Sequence, residues 1–181
     1  MKTTKMIGIL FLVVVSLTAS SLLHAGTEEF DKTMHPILIE YLKIQEVLAA
    51  DKTDGVKGAA EQIAALADKV DPKKVAGEHA MHYKDLPMKI KKAAQELAQG
   101  KEIAAMRDTF KALSRPMAMW GTMSKPQGIS VVYCPMAKGS WLQKGKEIRN
   151  PYYGDEMLRC GEIVGGEEYD QGAHKDHTKT H

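Results

Sequence analysis

From residue 28 to residue 121 the apolar positions recur every three or four residues, the period of a helix with one buried face. The first such stretch predicts a helix over Glu28 to Ala50, with Phe30, Met34, Ile37, Leu38, Tyr41, Leu42 and Leu48 on one side. A polar break at 51–54 follows, where Thr53 or Asp54 is placed to cap the next helix. That helix runs to about Val70 and aligns Val56, Ala59, Ala60, Ile63, Leu66 and Ala67. Asp71-Pro72 stops it, with one extra turn expected from Pro72 to Gly77. A third helix is predicted over Asp85 to Gln99, with Leu86, Ile90, Ala93, Ala94 and Leu97 inward and Gly100 as its C-terminal glycine. The fourth begins near Lys101 and carries Ile103, Met106, Phe110, Leu113, Met117 and Trp120 at steps of 3, 4, 3, 4 and 3, a packed seam. Pro116 is expected to kink or restart it, and Gly121 to end it. Short links join helices one to two and three to four, which makes each pair an antiparallel hairpin. The expected fold is mainly α: an antiparallel up-down four-helix bundle over residues 26–126.

After Pro126 the pattern changes. Gly128 to Cys134 is β-branched and aromatic and reads as a short strand, which Pro135 ends. Lys138 to Gly154 is rich in turn residues. Asp155 is placed to cap a single helical turn over Glu156 to Cys160, and Ile163-Val164 to pair back as a second strand. Residues 127–164 are therefore expected to form a small β-hairpin/loop module that carries both cysteines and packs on the bundle. The remainder, 165–181, is polar, is expected to be disordered, and contains His174, His177 and His181.

The other end of the chain adds a compartment. Lys2 and Lys5 precede an apolar run from Met6 to Leu17, and small residues surround Ala25. This is the pattern of a secretory signal over residues 1–25, and the run is shorter than the ~20 residues that span a bilayer. The mature chain is expected to be periplasmic or secreted, with no membrane insertion after cleavage. Net charge is +2, with acids and bases interspersed, so the basic stripe of a nucleic-acid binder is missing. Aromatics make up 6%, which suits a helical protein, while Met is frequent at 11.

Candidate chemistry centres on Cys134 and Cys160. Met136 and Met157 accompany them, and thiolate with thioether is a soft ligand set that selects Cu(I) and similar ions. Positions 134 and 136 share a face if that segment is extended. Positions 157 and 160 share one only if that segment turns. The competing reading is a disulfide, the usual fate of two cysteines in an oxidising compartment. It would close 25 intervening residues and contribute roughly 3 kcal/mol by loop entropy. His79 and His82, three apart in the link between the hairpins, are candidate additional ligands; the alternative is an exposed polar loop. Met119 and Met123, near the exit of the fourth helix, are either ordinary packing or face the cysteine module. The terminal histidines are a weak metal-binding signal. Covalent-haem, zinc-protease, serine-hydrolase and phosphate-loop motifs are absent from the sequence, and a catalytic reading has no residue to start from.

The segments "YCPMA", "WLQ" and "EIRNPYYGDEMLRCGEI", with "YLKIQEVLAAD" and "FKALS" in the helical half, resemble an uncharacterised bacterial domain. That domain occurs as standalone exported proteins and fused to periplasmic adaptor subunits of copper and heavy-metal efflux pumps. The resemblance spans roughly residues 30–164. It implies a link to soft-metal efflux or buffering, with efflux components as candidate partners, and supplies no activity to carry over. The expectation is an exported, non-enzymatic protein that binds Cu(I) or a similar soft ion. Cys134, Cys160, Met136 and Met157 would be the ligands, His79 or His82 would complete the set, and Trp141, Asn150, Pro151, Tyr152 and Gly154 would support it. The alternative is a disulfide-stapled structural or interaction domain with no metal role. A third reading is a redox switch between the two.

Overall fold

The computed structural model describes the backbone of residues 6–71 and 80–167 and side chains from Glu28 onward within those spans, His82 excepted. The chain folds as α1 (Met6–Ala49), α2 (Val56–Ala67), the short α3 (Ala80–Tyr83), α4 (Leu86–Leu97), α5 (Ile103–Ser124), β1 (Ile129–Cys134), β2 (Gly139–Lys144), a 3-10 turn (Gly154–Glu156) and β3 (Glu162–Gly166). It is mainly α with one small antiparallel sheet.

The helices pack in chain order, α1 on α2, α2 on α4 and α4 on α5. The predicted faces are the buried ones. Phe30, Met34, Ile37, Tyr41 and Leu48 of α1, Ile63 of α2, Leu86, Ile90 and Leu97 of α4 and Phe110, Leu113, Met117 and Trp120 of α5 form one core. Burying one such aliphatic or aromatic side chain contributes about 1.5–3 kcal/mol, so this stripe pattern is the main source of stability.

Several boundaries differ from the expectation. The α1 backbone is helical from Met6, not only from residue 28. Neither Thr53 nor Asp54 caps α2; the cap position is Gly55, whose φ of 81° places it in the left-handed region. Pro116 does not end α5, which continues to Ser124 and closes on Lys125 at φ 45°. Gly121 therefore lies inside the helix. A Cβ there would come within 2.5 Å of Leu142 Cδ2, so the glycine admits β2 against α5. Gly100 serves a similar purpose, since its Cβ would meet Met106 Cγ at 2.8 Å. The extra turn expected over Pro72 to Gly77 and the tail from residue 168 lie outside the described residues.

The C-terminal module has one strand more than the predicted hairpin. Gly139–Lys144, read as turn-rich, is β2, and the sheet order is β2-β1-β3 with both pairs antiparallel. Trp141, Leu142 and Gln143 are all buried, because β2 lies between β1 and helices α5 and α1. Continuous burial erases the alternation by which a strand is read. Tyr41 joins the two halves. Its buried hydroxyl meets Ser114 Oγ at 2.7 Å and accepts the Leu142 N–H at 3.2 Å. Burial pushes this phenol far above its ordinary pKa, so it is a neutral hydrogen-bonding strut.

Candidate functional site

β1 delivers Cys134 to the last register position of the sheet, opposite Gly139. The turn 135–138 then reverses the chain, with Lys138 at φ 49°. Cys134 is fully buried, and Cys160 is half-buried. The two cysteine sulfurs lie 2.7 Å apart, closer than non-bonded sulfurs normally rest.

Cys160 reaches this position through a second, tightly organised loop. Asn150 is fully buried and organises it from inside. Its Nδ2 donates to the Cys160 carbonyl at 2.8 Å, and its Oδ1 accepts the Tyr152 N–H at 2.8 Å. Its backbone N–H donates to Leu158 O at 2.8 Å. The chain then makes a 3-10 turn at Gly154–Glu156 and a second turn in which the Cys160 N–H donates to Met157 O at 2.9 Å. The sequence expectation of a turn over 155–160 thus corresponds to two consecutive tight turns.

Asp51 and Arg107 fasten the loop to the helices. Arg107 donates to Asp51 Oδ1, to Leu48 O at 3.0 Å and to Pro151 O at 3.2 Å. Asp51 Oδ2 accepts the Asp155 N–H at 2.7 Å. That backbone hydrogen bond, followed by the Arg107 guanidinium, holds the Asp51 carboxyl below its ordinary pKa. Gly154, at φ 59°, passes so close to this pair that a Cβ would collide with both side chains. Pro151 and Tyr152 are buried beside it. Tyr152 donates to Ser140 O at 2.6 Å and meets Trp141 edge-on at 5.6 Å between ring centroids. Trp141 in turn packs where a Cβ on Gly161 would stand, 2.8 Å from its Cη2. All five expected supporting residues therefore line this loop and its floor.

The two thiols differ electrostatically. Burial pushes the Cys134 thiol up, but hydrogen bonds from Cys160, the Ala137 and Met136 backbone N–H groups and the Asn150 amide outweigh it and leave the pKa lowered. The Cys160 thiol is held above its ordinary value, first by its hydrogen bond to Cys134, then by burial and by the neighbouring charge. The favoured partly ionised state is a Cys134 thiolate accepting a proton bond from Cys160, the form that ligates metals and attacks disulfides.

The remaining predicted ligands are less concentrated. Met136 sits in the turn after β1, 62% exposed, and contributes its backbone N–H to both cysteine sulfurs. Met157 is half-buried at the start of the second turn. His79 lies outside the described residues, and His82 falls in α3 with its side chain undescribed. His174, His177 and His181 are also outside them. Among the described residues no group of three or more His, Cys, Asp or Glu is arranged to hold a metal ion. Asp51, Arg107 and Asn150 do most of the positioning. Only Asn150 was singled out by sequence, because Asp51 and Arg107 read as ordinary surface charges on a loop and a helix.

A family model described as "Protein of unknown function (DUF3347)" matches residues 37–127, just over half of the 181 residues. The matched span covers α2, α4, α5 and most of the described side chains of α1, and it stops seven residues before Cys134. No curated protein and no solved structure matches the chain.

Proposed function

The chain belongs to the DUF3347 family of proteins of unknown function, and from that premise we propose that it is an exported, non-enzymatic carrier of soft metal ions such as Cu(I). Cys134 and Cys160 would be its anchoring thiolates. The observation that carries this reading is the convergence of the two sulfurs to 2.7 Å in a corner whose N–H donors favour a thiolate on Cys134. Soft ions take thiolates in preference to oxygen ligands, and a thiolate already stabilised by the fold loses little on binding one. Met136 and Met157, two and three residues from the cysteines, supply candidate thioethers, and the exposure of Met136 leaves its sulfur free to swing inward. The helices, read as an up-down four-helix bundle, hold the corner rigid. The signal-like N-terminus and the resemblance to domains fused to efflux adaptors make the periplasm the expected compartment and efflux components the expected partners.

A second reading has its own observation. Thiolates bound tetrahedrally at about 2.3 Å from an ion lie ~3.8 Å apart, so the pair must open by roughly 1 Å to admit one. Sulfurs at 2.7 Å are instead poised to close as a disulfide, given an exchanging disulfide oxidant that takes up the two electrons. On that reading the cysteines staple a structural or interaction domain and no metal is involved.

One experiment separates the two. The protein is purified from the periplasm, its free thiols are counted, and Cu(I) is titrated against a competing chelator under reducing conditions. Submicromolar binding that is lost in Cys134→Ser and weakened in Met136→Leu/Met157→Leu supports the carrier. Binding lost in Cys134→Ser but unchanged in the double Met variant restricts the site to the thiols. No binding by the reduced protein, with no free thiols as isolated, leaves the staple.

A further inference from the structure

A cleft of about 650 Å³ opens between α5 and the sheet. Its floor is apolar, built from Ala118 and Met119 of α5 and from Val131 and Val164 of the strands. Its rim carries three cations, Lys111, Arg115 and Lys138, against one acid, Asp108. Among the described residues none of these cations makes an ion pair or a side-chain hydrogen bond; Lys111 lies 5.8 Å from the centroid of the Tyr152 ring. Elsewhere Lys43, Lys91, Arg107 and Arg159 each hold a carboxylate within 2.6 Å, and Lys57, Lys89 and Lys144 hold one more loosely at 3.8–4.0 Å.

Two features show that the rim is held in place. Lys111 is fixed by its stem: a Cβ on Gly139 would stand 3.0 Å from both Lys111 Cγ and Tyr152 Cε2, so the lysine lies directly over that glycine. Lys138 occupies the left-handed region at φ 49°, in a turn where Gly or Asn is the cheaper choice.

We propose that this cleft binds a small amphipathic anion, a carboxylate, sulfonate or phosphate head on a short hydrocarbon or aryl body. The size lies within the range of small-molecule sites, which pair apolar walls with a few converging polar groups. Here the apolar floor takes the body, and Arg115, Lys111 and Lys138 take the head. The Thr122 and Ser140 residues that also line the cleft supply neutral hydrogen-bonding groups. Arg115 is suited to a bidentate grip on a planar oxyanion. This site is independent of the thiols and of any metal.

The test uses sodium decanoate as the probe, with decanol and decyltrimethylammonium as neutral and cationic controls. Binding is followed on the full chain by backbone amide chemical shifts at low ionic strength. Decanoate is expected to shift amides in 111–122 and 131–140 and to bind at least tenfold more tightly than decanol, with the cationic probe not binding. Arg115→Ala is expected to weaken decanoate about tenfold and leave decanol unchanged. Lys138→Gly separates fold from function: it removes the left-handed strain, so the melting temperature holds or rises, while decanoate binding falls several-fold. Equal binding of decanoate and decanol overturns the proposal. So do shifts centred on another cleft, such as the one lined by His35 and Trp120, and so does full affinity in Arg115→Ala/Lys138→Gly.

Discussion

Replacing Asn150 with alanine isolates the residue that brings the two cysteines together. The side chain is fully buried and satisfies two main-chain groups, the Cys160 carbonyl and the Tyr152 N–H, each at 2.8 Å. Alanine removes both partners without admitting bulk water. A buried backbone group left unpaired costs about 1–3 kcal/mol. Tyr152 is buried and Cys160 is not fully so, which puts the sum at about 3 kcal/mol once the partial exposure of the Cys160 end is allowed for. That is a large share of the 5–15 kcal/mol that a domain has in total. Urea unfolding, followed by circular dichroism with the thiols kept reduced so that no staple masks the effect, measures the loss. Tyr152→Phe is the internal comparison. It removes the phenol bond to Ser140 O and is expected to lose about 1 kcal/mol. The amide of Tyr152 should exchange with solvent far faster in Asn150→Ala than in Tyr152→Phe. If Asn150→Ala costs less than about 1 kcal/mol, or if Tyr152 exchange is equal in the two variants, Asn150 is not the organiser described here.

Three further outcomes are expected. Tyr41→Phe strips the buried hydroxyl from Leu142 N–H and Ser114 and should destabilise by about 1–3 kcal/mol in urea, with Leu142 exchange accelerated. Because the folded Asp51 carboxyl is held below its ordinary value of 3.8, its contribution is fully present well above that value and is lost as the pH falls through the lowered one; the gap in urea midpoint between wild type and Asp51→Asn should therefore narrow on acidification below the ordinary value, and a gap that widens contradicts the clamp. In Gly121→Ala the gain in helix propensity, about 1 kcal/mol, opposes a clash with Leu142, so the same change should be stabilising in a Leu142→Ala background and less so, or destabilising, in the wild type.

The helical half was legible because its chemistry is one-sided. Phe30, Met34, Leu86, Ile90, Phe110 and Trp120 announce their burial by period alone. Gly121, expected to end a helix, lies inside α5, where its task is to let Leu142 approach. That task depends on a partner in a different element and leaves no local mark. β2 was hidden for a related reason: Trp141, Leu142 and Gln143 are buried in succession, and the glycines at either end look like turn punctuation. At the cysteine corner the pairing of Cys134 with Cys160 and the turn before Cys160 followed from residue types. The fastening by Asp51 and Arg107 did not, since an acid and a base 56 positions apart carry no sign of each other.

The bonds between the module and α1 also set an order of assembly. Gln45 donates to the Arg149 carbonyl and Asp51 accepts from Asp155, contacts that each bridge 104 positions, whereas the helices touch their neighbours in sequence. Closing so long a loop is entropically slow compared with packing adjacent helices. The helices should therefore collapse first and present a vacant seat formed by Tyr41, Gln45, Asp51 and Arg107. The sheet and the loop after it arrive last, and only their docking brings the two sulfurs within reach. The state of the cysteines thus reports completed folding: thiols that meet early, before the seat exists, would trap the chain with its last segment undocked.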